Sequence, residues 1–149
     1  MRNSLLLGIV AVALFSAVAL GLSVFSVPRF GVAQVSINGT GYNAYVANTP
    51  QEQAFGLMDR ANIGDCSGYG DCIGMLFIFP NDSQRCFWMK DTQIPLEQYW
   101  IVNGTITNGT YGVPYSLHET CHQGSIVLET SANSSIVVGQ EVFLLRYLT

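Results

Sequence analysis

The sequence predicts a mainly β protein: a compact small barrel or sandwich of six to eight short strands with one short helix, preceded by an N-terminal transmembrane helix. Three observations carry that reading. From residue 32 onward, apolar runs of strand length alternate with Asn-Gly, Gly-Thr and Pro turn signals. Only the stretch from Thr49 to Arg60 opens like a helix. Residues 5–27 carry no charge and are longer than the roughly 20 residues needed to cross the hydrocarbon layer.

That first run is longer than the h-region of an ordinary signal peptide. Arg2 precedes it, and Pro28 and Arg29 follow. Counting positive charge leaves the N-terminus inside and the rest outside. Ala17-Val18-Ala19 offers a cleavage signal, so the alternative is a secreted chain. The expected organisation is an anchor or signal peptide over 1–27, a short stalk over 28–31 and an exported β domain over 32–149.

Val32 to Ile37 alternates and reads as the first strand. Asn38-Gly39-Thr40-Gly41 is the turn, and Tyr42 to Ala47 returns. Thr49-Pro50-Gln51-Glu52 is a capping box with proline at the first helical position. Ala54, Leu57 and Met58 share a helical face, and the helix is expected to end near Arg60. The glycine-rich stretch from Ala61 to Ile73 reads as a loop.

Met75–Phe79 and Phe87–Met89 then read as two core strands around a polar turn, with Pro80 closing the first. Leu96 to Val102 and Thr105 to Tyr111 form a hairpin at Asn103-Gly104. Gly112 to Gly124 reads as a loop carrying His118 and His122. Ile126 to Glu129 and Glu141 to Tyr147 are the last strands.

The chain has 149 residues, enough for one ordinary domain. Its net charge of −4 excludes a nucleic-acid partner. Charged residues make up 11%, against about 25% in an average globular chain. Lysine occurs once, at Lys90. Five Asn-x-Ser/Thr sequons, at Asn38, Asn81, Asn103, Asn108 and Asn133, all fall at expected turns, where glycans would supply the missing surface polarity.

All four cysteines, Cys66, Cys72, Cys86 and Cys121, follow the apolar run, and an even count in a small exported domain favours disulfides. Three pairings are possible. The favoured one joins Cys66 to Cys72 and Cys86 to Cys121, the second tying the central sheet to a long loop.

Four ordered blocks now stand out: Thr49 to Arg60, Gly74 to Phe79, Phe87 to Thr92, and Ile94-Pro95-Leu96. Together they resemble the DUF192 family (COG1430), over roughly Tyr42 to Leu145. The resemblance implies a single, mostly β, often exported prokaryotic domain, and leaves the biochemical role open. Asp91 stands where the family usually has Asn, Glu97 where it has Asp, and Gln140 where it has Asp.

Candidate functional residues gather after the second core run. Trp88 offers an aromatic wall and Lys90 a single cation, with Asp91, Thr92 and Gln93 as polar partners. Glu97 and Glu129 complete the expected ligand-binding set. The leading reading is a cell-surface binding or accessory module with its cleft near Phe87–Gln93. It would meet the membrane through residues 5–27 and an envelope glycan or protein outside.

A small hydrolase would instead pair carboxylates among Asp91, Glu97 and Glu129. A structural envelope protein without ligand is the third reading. No nucleophile elbow or phosphate loop occurs. His118, Cys121 and His122 have metal-ligand chemistry, but oxidised cysteines would remove Cys121, so neither metal nor cofactor is expected. Arg60 is expected to meet a carboxylate such as Glu129, or loop carbonyls.

Overall fold

A computed structural model describes residues 27–149. The expected anchor therefore lies outside the described residues, apart from Val27. Among those described, no helix is long and apolar enough to cross a membrane. The elements in order are β1 (Gly31–Ile37), β2 (Thr40–Ala47), α1 (Pro50–Phe55), β3 (Cys72–Phe87), β4 (Leu96–Val102), β5 (Thr105–Gly112), β6 (Thr120–Ser131) and β7 (Val142–Leu148).

The strands form one sheet in the order β5-β4-β6-β3-β2-β1-β7. Only β2 and β3 run parallel, and α1 lies in the crossover between them. Asn38-Gly39 and Asn103-Gly104 turn their hairpins with positive φ at both residues, as two-residue turns of this kind require. The two edge strands approach each other at one end. Thr105 bridges Glu141, and the Val142 amide donates to the Gly104 carbonyl at 2.7 Å. The sheet is thus a partly closed barrel.

Each face of the sheet has its own core. On the concave face, residues from both edges meet: Ile37, Ile106 and Val142 pack with Leu76, Tyr99 and Leu128. On the other face, Tyr45, Met75, Phe77, Trp100 and Val127 are roofed by Leu57, Ile63 and Met89. The roof consists of the segment after α1 and the segment after β3.

Several expectations change. The two core runs around Pro80 belong to a single strand, β3, which ends at Phe87, so Trp88 and Met89 are not in a strand. Its ladder with β6 shifts register between Ile78 and Ser83. Pro80 falls in that irregularity, where the donor it lacks is not needed.

Helix α1 stops at Phe55 because Gly56, at φ 52°, caps it. No residue of α1 itself is buried, so Leu57 reaches the core from beyond the helix rather than from a helical face. Strand β6 starts at Thr120, which puts Cys121 and His122 in a strand instead of a loop. Asn81 and Asn108 sit inside β3 and β5, not at turns.

The cysteines pair as favoured, Cys66 with Cys72 and Cys86 with Cys121. Cys86 and Cys121 are direct cross-strand partners in the β3–β6 ladder.

Candidate functional site

Strand alternation on the roofed face places Met75, Glu129 and Gln98 side by side across β3, β6 and β4. Glu129 therefore points into an apolar layer and is only 4% exposed. Its carboxylate oxygen Oε1 accepts a hydrogen bond from the Gln98 amide at 2.9 Å. The same amide lies 3.7 Å from the Met89 sulfur. Burial pushes the Glu129 carboxyl up to about 7, and the Gln98 bond offsets only part of that rise.

Two glycines make this packing possible. A Cβ on Gly74 would overlap the Glu129 carbonyl, and one on Gly112 would meet the Met89 sulfur at 2.5 Å.

The segment after β3 forms the roof. Its centre is a tight turn, with the Thr92 amide donating to the Met89 carbonyl at 3.1 Å. Asp91 takes φ 52° in that turn, a conformation Asp and Asn tolerate better than most residues. The Asp91 carbonyl accepts from the Asp59 amide at 2.9 Å, and the Thr92 carbonyl accepts from Tyr115 at 3.1 Å. The turn is thereby fixed both to the segment after α1 and to the loop after β5.

Between α1 and this roof lies a cavity of about 40 Å³, lined by Glu129, Thr92, Trp88, Phe87, Phe77 and Gln53. That space admits a water or a small ligand group. Two larger depressions flank it and share Phe87 and Trp88 with it. One, of about 550 Å³, runs along Phe79, Gln84, Arg85 and Glu119. The other, of about 220 Å³, runs along Gln98, Thr110, Ser116 and His118. Trp88 is 41% exposed at their junction, with the Lys90 ammonium 5.4 Å from its ring centre.

The expected site residues thus divide. Trp88, Thr92 and Glu129 share the cavity, with Lys90 beside Trp88. Asp91 and Gln93 are exposed, and Asp91 has a sufficient job in the turn. Glu97 does not join them. It pairs with Thr130 while Gln98 pairs with Glu129, so Glu97 and Glu129 point to opposite faces of the sheet. On the concave side Glu97 accepts bonds from the Tyr99 and Ser134 hydroxyls. Burial raises its pKa, but hydrogen bonds from Ser134, Tyr99 and the Asn133 main chain outweigh that and leave it lowered. Burial and the facing Glu97 push the Tyr99 hydroxyl up to about 12.

Other side chains are placed differently from expectation. Among the described residues Arg60 meets no carboxylate; its guanidinium stacks over Tyr45 at 4.4 Å and Phe30 at 5.5 Å. Glu52 completes the capping box. His122 packs edgewise on Trp100 at 4.9 Å. Cys86, Cys121 and Glu119 lie close enough to hold a metal ion, but both sulfurs are tied up in the disulfide.

Arg85 and Gln98 were not anticipated. Arg85 stacks on Phe79 at 4.1 Å and donates to the Asn81 side chain at 2.8 Å, which holds it at the groove wall. A sequence signal for Gln98 existed. It is the one polar residue on the Leu96, Gln98, Trp100 face of β4, and it pairs with Glu129 of β6.

A family model described as "Uncharacterized ACR, COG1430" (DUF192) matches residues 33–142. Among solved structures, a Sinorhizobium meliloti protein provisionally described as a transcription regulator aligns with TM-score 0.67 at 24% identity. That alignment covers 80% of this chain and 98% of the other. A Novosphingobium aromaticivorans protein of unknown function aligns with TM-score 0.63 at 27% identity, over 75% of this chain and 84% of the other. No curated protein matches.

Proposed function

Since this chain belongs to the DUF192 family, whose description names no activity, we propose a function from the site itself: a binding or accessory module whose ligand sits at Trp88, with one small group entering the cavity above Glu129. The carrying observation is a buried carboxyl, near neutral in pKa, that lines a small cavity together with a partly exposed tryptophan. Held protonated, such a carboxyl donates a hydrogen bond in an apolar setting; ionised, it accepts one. The depressions beside Trp88 give the rest of the ligand its contacts.

The proposal includes the address. Residues 5–27 tether the domain to the cell membrane with the β domain outside, and the sequons carry glycans. Asn38, Asn81, Asn103 and Asn133 are exposed, while Asn108 is half-buried. The regulator description of the Sinorhizobium protein is not transferred, because a net charge of −4 opposes a nucleic-acid surface. Nor is a hydrolase built on Glu97 with Glu129, because the two carboxylates share no cleft.

The test is a binding screen of the full chain against cell-envelope oligosaccharides and short peptides, read by titration calorimetry, which does not depend on the tryptophan under test. Binding that Trp88→Ala abolishes and Glu129→Gln weakens about tenfold, equivalent to about 1.4 kcal/mol, supports the module. Absence of binding in either library, with the fold intact, favours the structural reading instead.

A further inference from the structure

We propose that the free edge of β7 seats the domain on an anionic lipid surface. Phe143, Leu144, Leu145 and Tyr147 enter the interface, and Arg29, Arg60 and Arg146 face the headgroups. This rests on the tether reading above and is independent of the Trp88 site.

Strand β7 pairs with β1 alone. Apart from the Thr105–Glu141 bridge just before its start and the bond from the Val142 amide to the Gly104 carbonyl, its other edge has no partner among the described residues. Soluble sheets guard such edges with charges, prolines or cover. Here the edge carries one charge, Arg146, while Phe143, Leu144, Leu145 and Tyr147 are 51%, 37%, 55% and 50% exposed. A register shift leaves Leu145 without a partner on β1. Phe143, opposite Ser36, and Leu144, opposite Val35, project from opposite faces. The apolar surface is therefore the edge itself, a shape suited to shallow, edge-on burial about 5–10 Å deep.

The occupant follows from where the uncharged run joins the domain. Leu148 pairs with Val32 and Tyr147 with Ala33, at the start of β1. Only residues 28–30 separate Val27 from β1, and three residues span at most about 10 Å. A run that ends in a bilayer at Val27 must hold this end of β7 against the headgroup layer.

Charge agrees. The described residues hold five cations: Arg29, Arg60, Arg85, Lys90 and Arg146. Arg29 immediately precedes Phe30, Arg60 stacks on Phe30, and Arg146 pairs with Gln34 of β1. Three of the five thus collect at this end of a chain whose net charge is −4. Asp59 is the exposed acid next to Arg60. Clustered arginines beside an apolar surface favour anionic headgroups.

The test uses the full chain in phosphatidylcholine–phosphatidylglycerol vesicles. The native cysteines are all in disulfides, so Leu145→Cys and Thr40→Cys each take one environment-sensitive label. Thr40 lies beyond the far end of β1. Seating predicts that the label at 145 is quenched by aqueous iodide about threefold less than the label at 40. Arg146→Glu, or vesicles of phosphatidylcholine alone, should narrow that ratio.

If the chain floats with vesicles but both labels are equally quenched, the seat is wrong and the tether stands. If it does not float, both fall. If protection at 145 persists without lipid and rises with protein concentration, β7 pairs with a second copy and the lipid proposal is overturned.

Discussion

Glu129 couples its titration to folding. Its folded pKa of about 7 lies above the ordinary 4.5. At low pH the group is protonated in both states and costs little. Between those two values the unfolded chain releases its proton while the folded chain keeps it, so stability falls as pH rises. By the upper end the loss reaches about 3 kcal/mol. Urea unfolding followed across that window should show the decline in the wild type and a flatter profile in Glu129→Gln; parallel profiles would refute the assignment. Glu97 acts in the opposite sense. Its pKa is lowered, so its contribution exists above the ordinary carboxylate value and is lost in acid, and exposure keeps that contribution small. Gly74 is the residue on which the site's backbone depends. Gly74→Ala would press a methyl into the Glu129 carbonyl, and the expected cost is about 3 kcal/mol, seen as a lower denaturation midpoint.

Among the elements, α1 is short and exposed, so it depends on its cap. Thr49→Ala should cost about 1 kcal/mol by denaturant titration. The Cys86–Cys121 bridge closes a much longer loop, with a sequence separation of 35. Loop-closure entropy puts the cost of replacing both cysteines by serine at about 3–4 kcal/mol, well above the loss from opening Cys66–Cys72. The hairpins β1–β2 and β4–β5 were legible because alternation and Asn-Gly turns are local signals. The end of α1 was not, because Leu57 and Met58 continue a helical spacing that Gly56 interrupts. Strand β3 reads as two runs in the sequence because Pro80-Asn81-Asp82-Ser83 has the composition of a turn; its continuity comes from β6, far along the chain. The first half of β6 is polar, and only its partner makes it a strand. The site followed the same rule. Trp88 and Thr92 lie inside a recognisable block, whereas the arrival of Glu129 beside them, and its separation from Glu97, depend on the register of β6 against β3 and β4.

At the scale of the whole molecule, the barrel is closed by few groups. Gly104, Ile106, Gly139, Gln140 and Val142 make the main-chain bonds between the β5 end and the approach to β7. Val142→Ala leaves the strand order intact but removes a side chain that is 3% exposed from the concave core. A loss of about 1–2 kcal/mol, with faster amide exchange in β7 than in β3, would show that this seam opens first. Strand β1 also has a consequence for synthesis. It is the first strand made and lies between β2 and β7, yet β7 spans residues 142–148 of the chain. One side of β1 therefore stays bare until nearly all of the chain has left the ribosome. A nascent domain of this kind cannot complete its sheet stepwise from its N-terminus, and it needs shelter from its neighbours while it waits. By the same logic, a stop codon before Val142 should be as damaging as a substitution in the core, although it removes no residue of the Trp88 crevice.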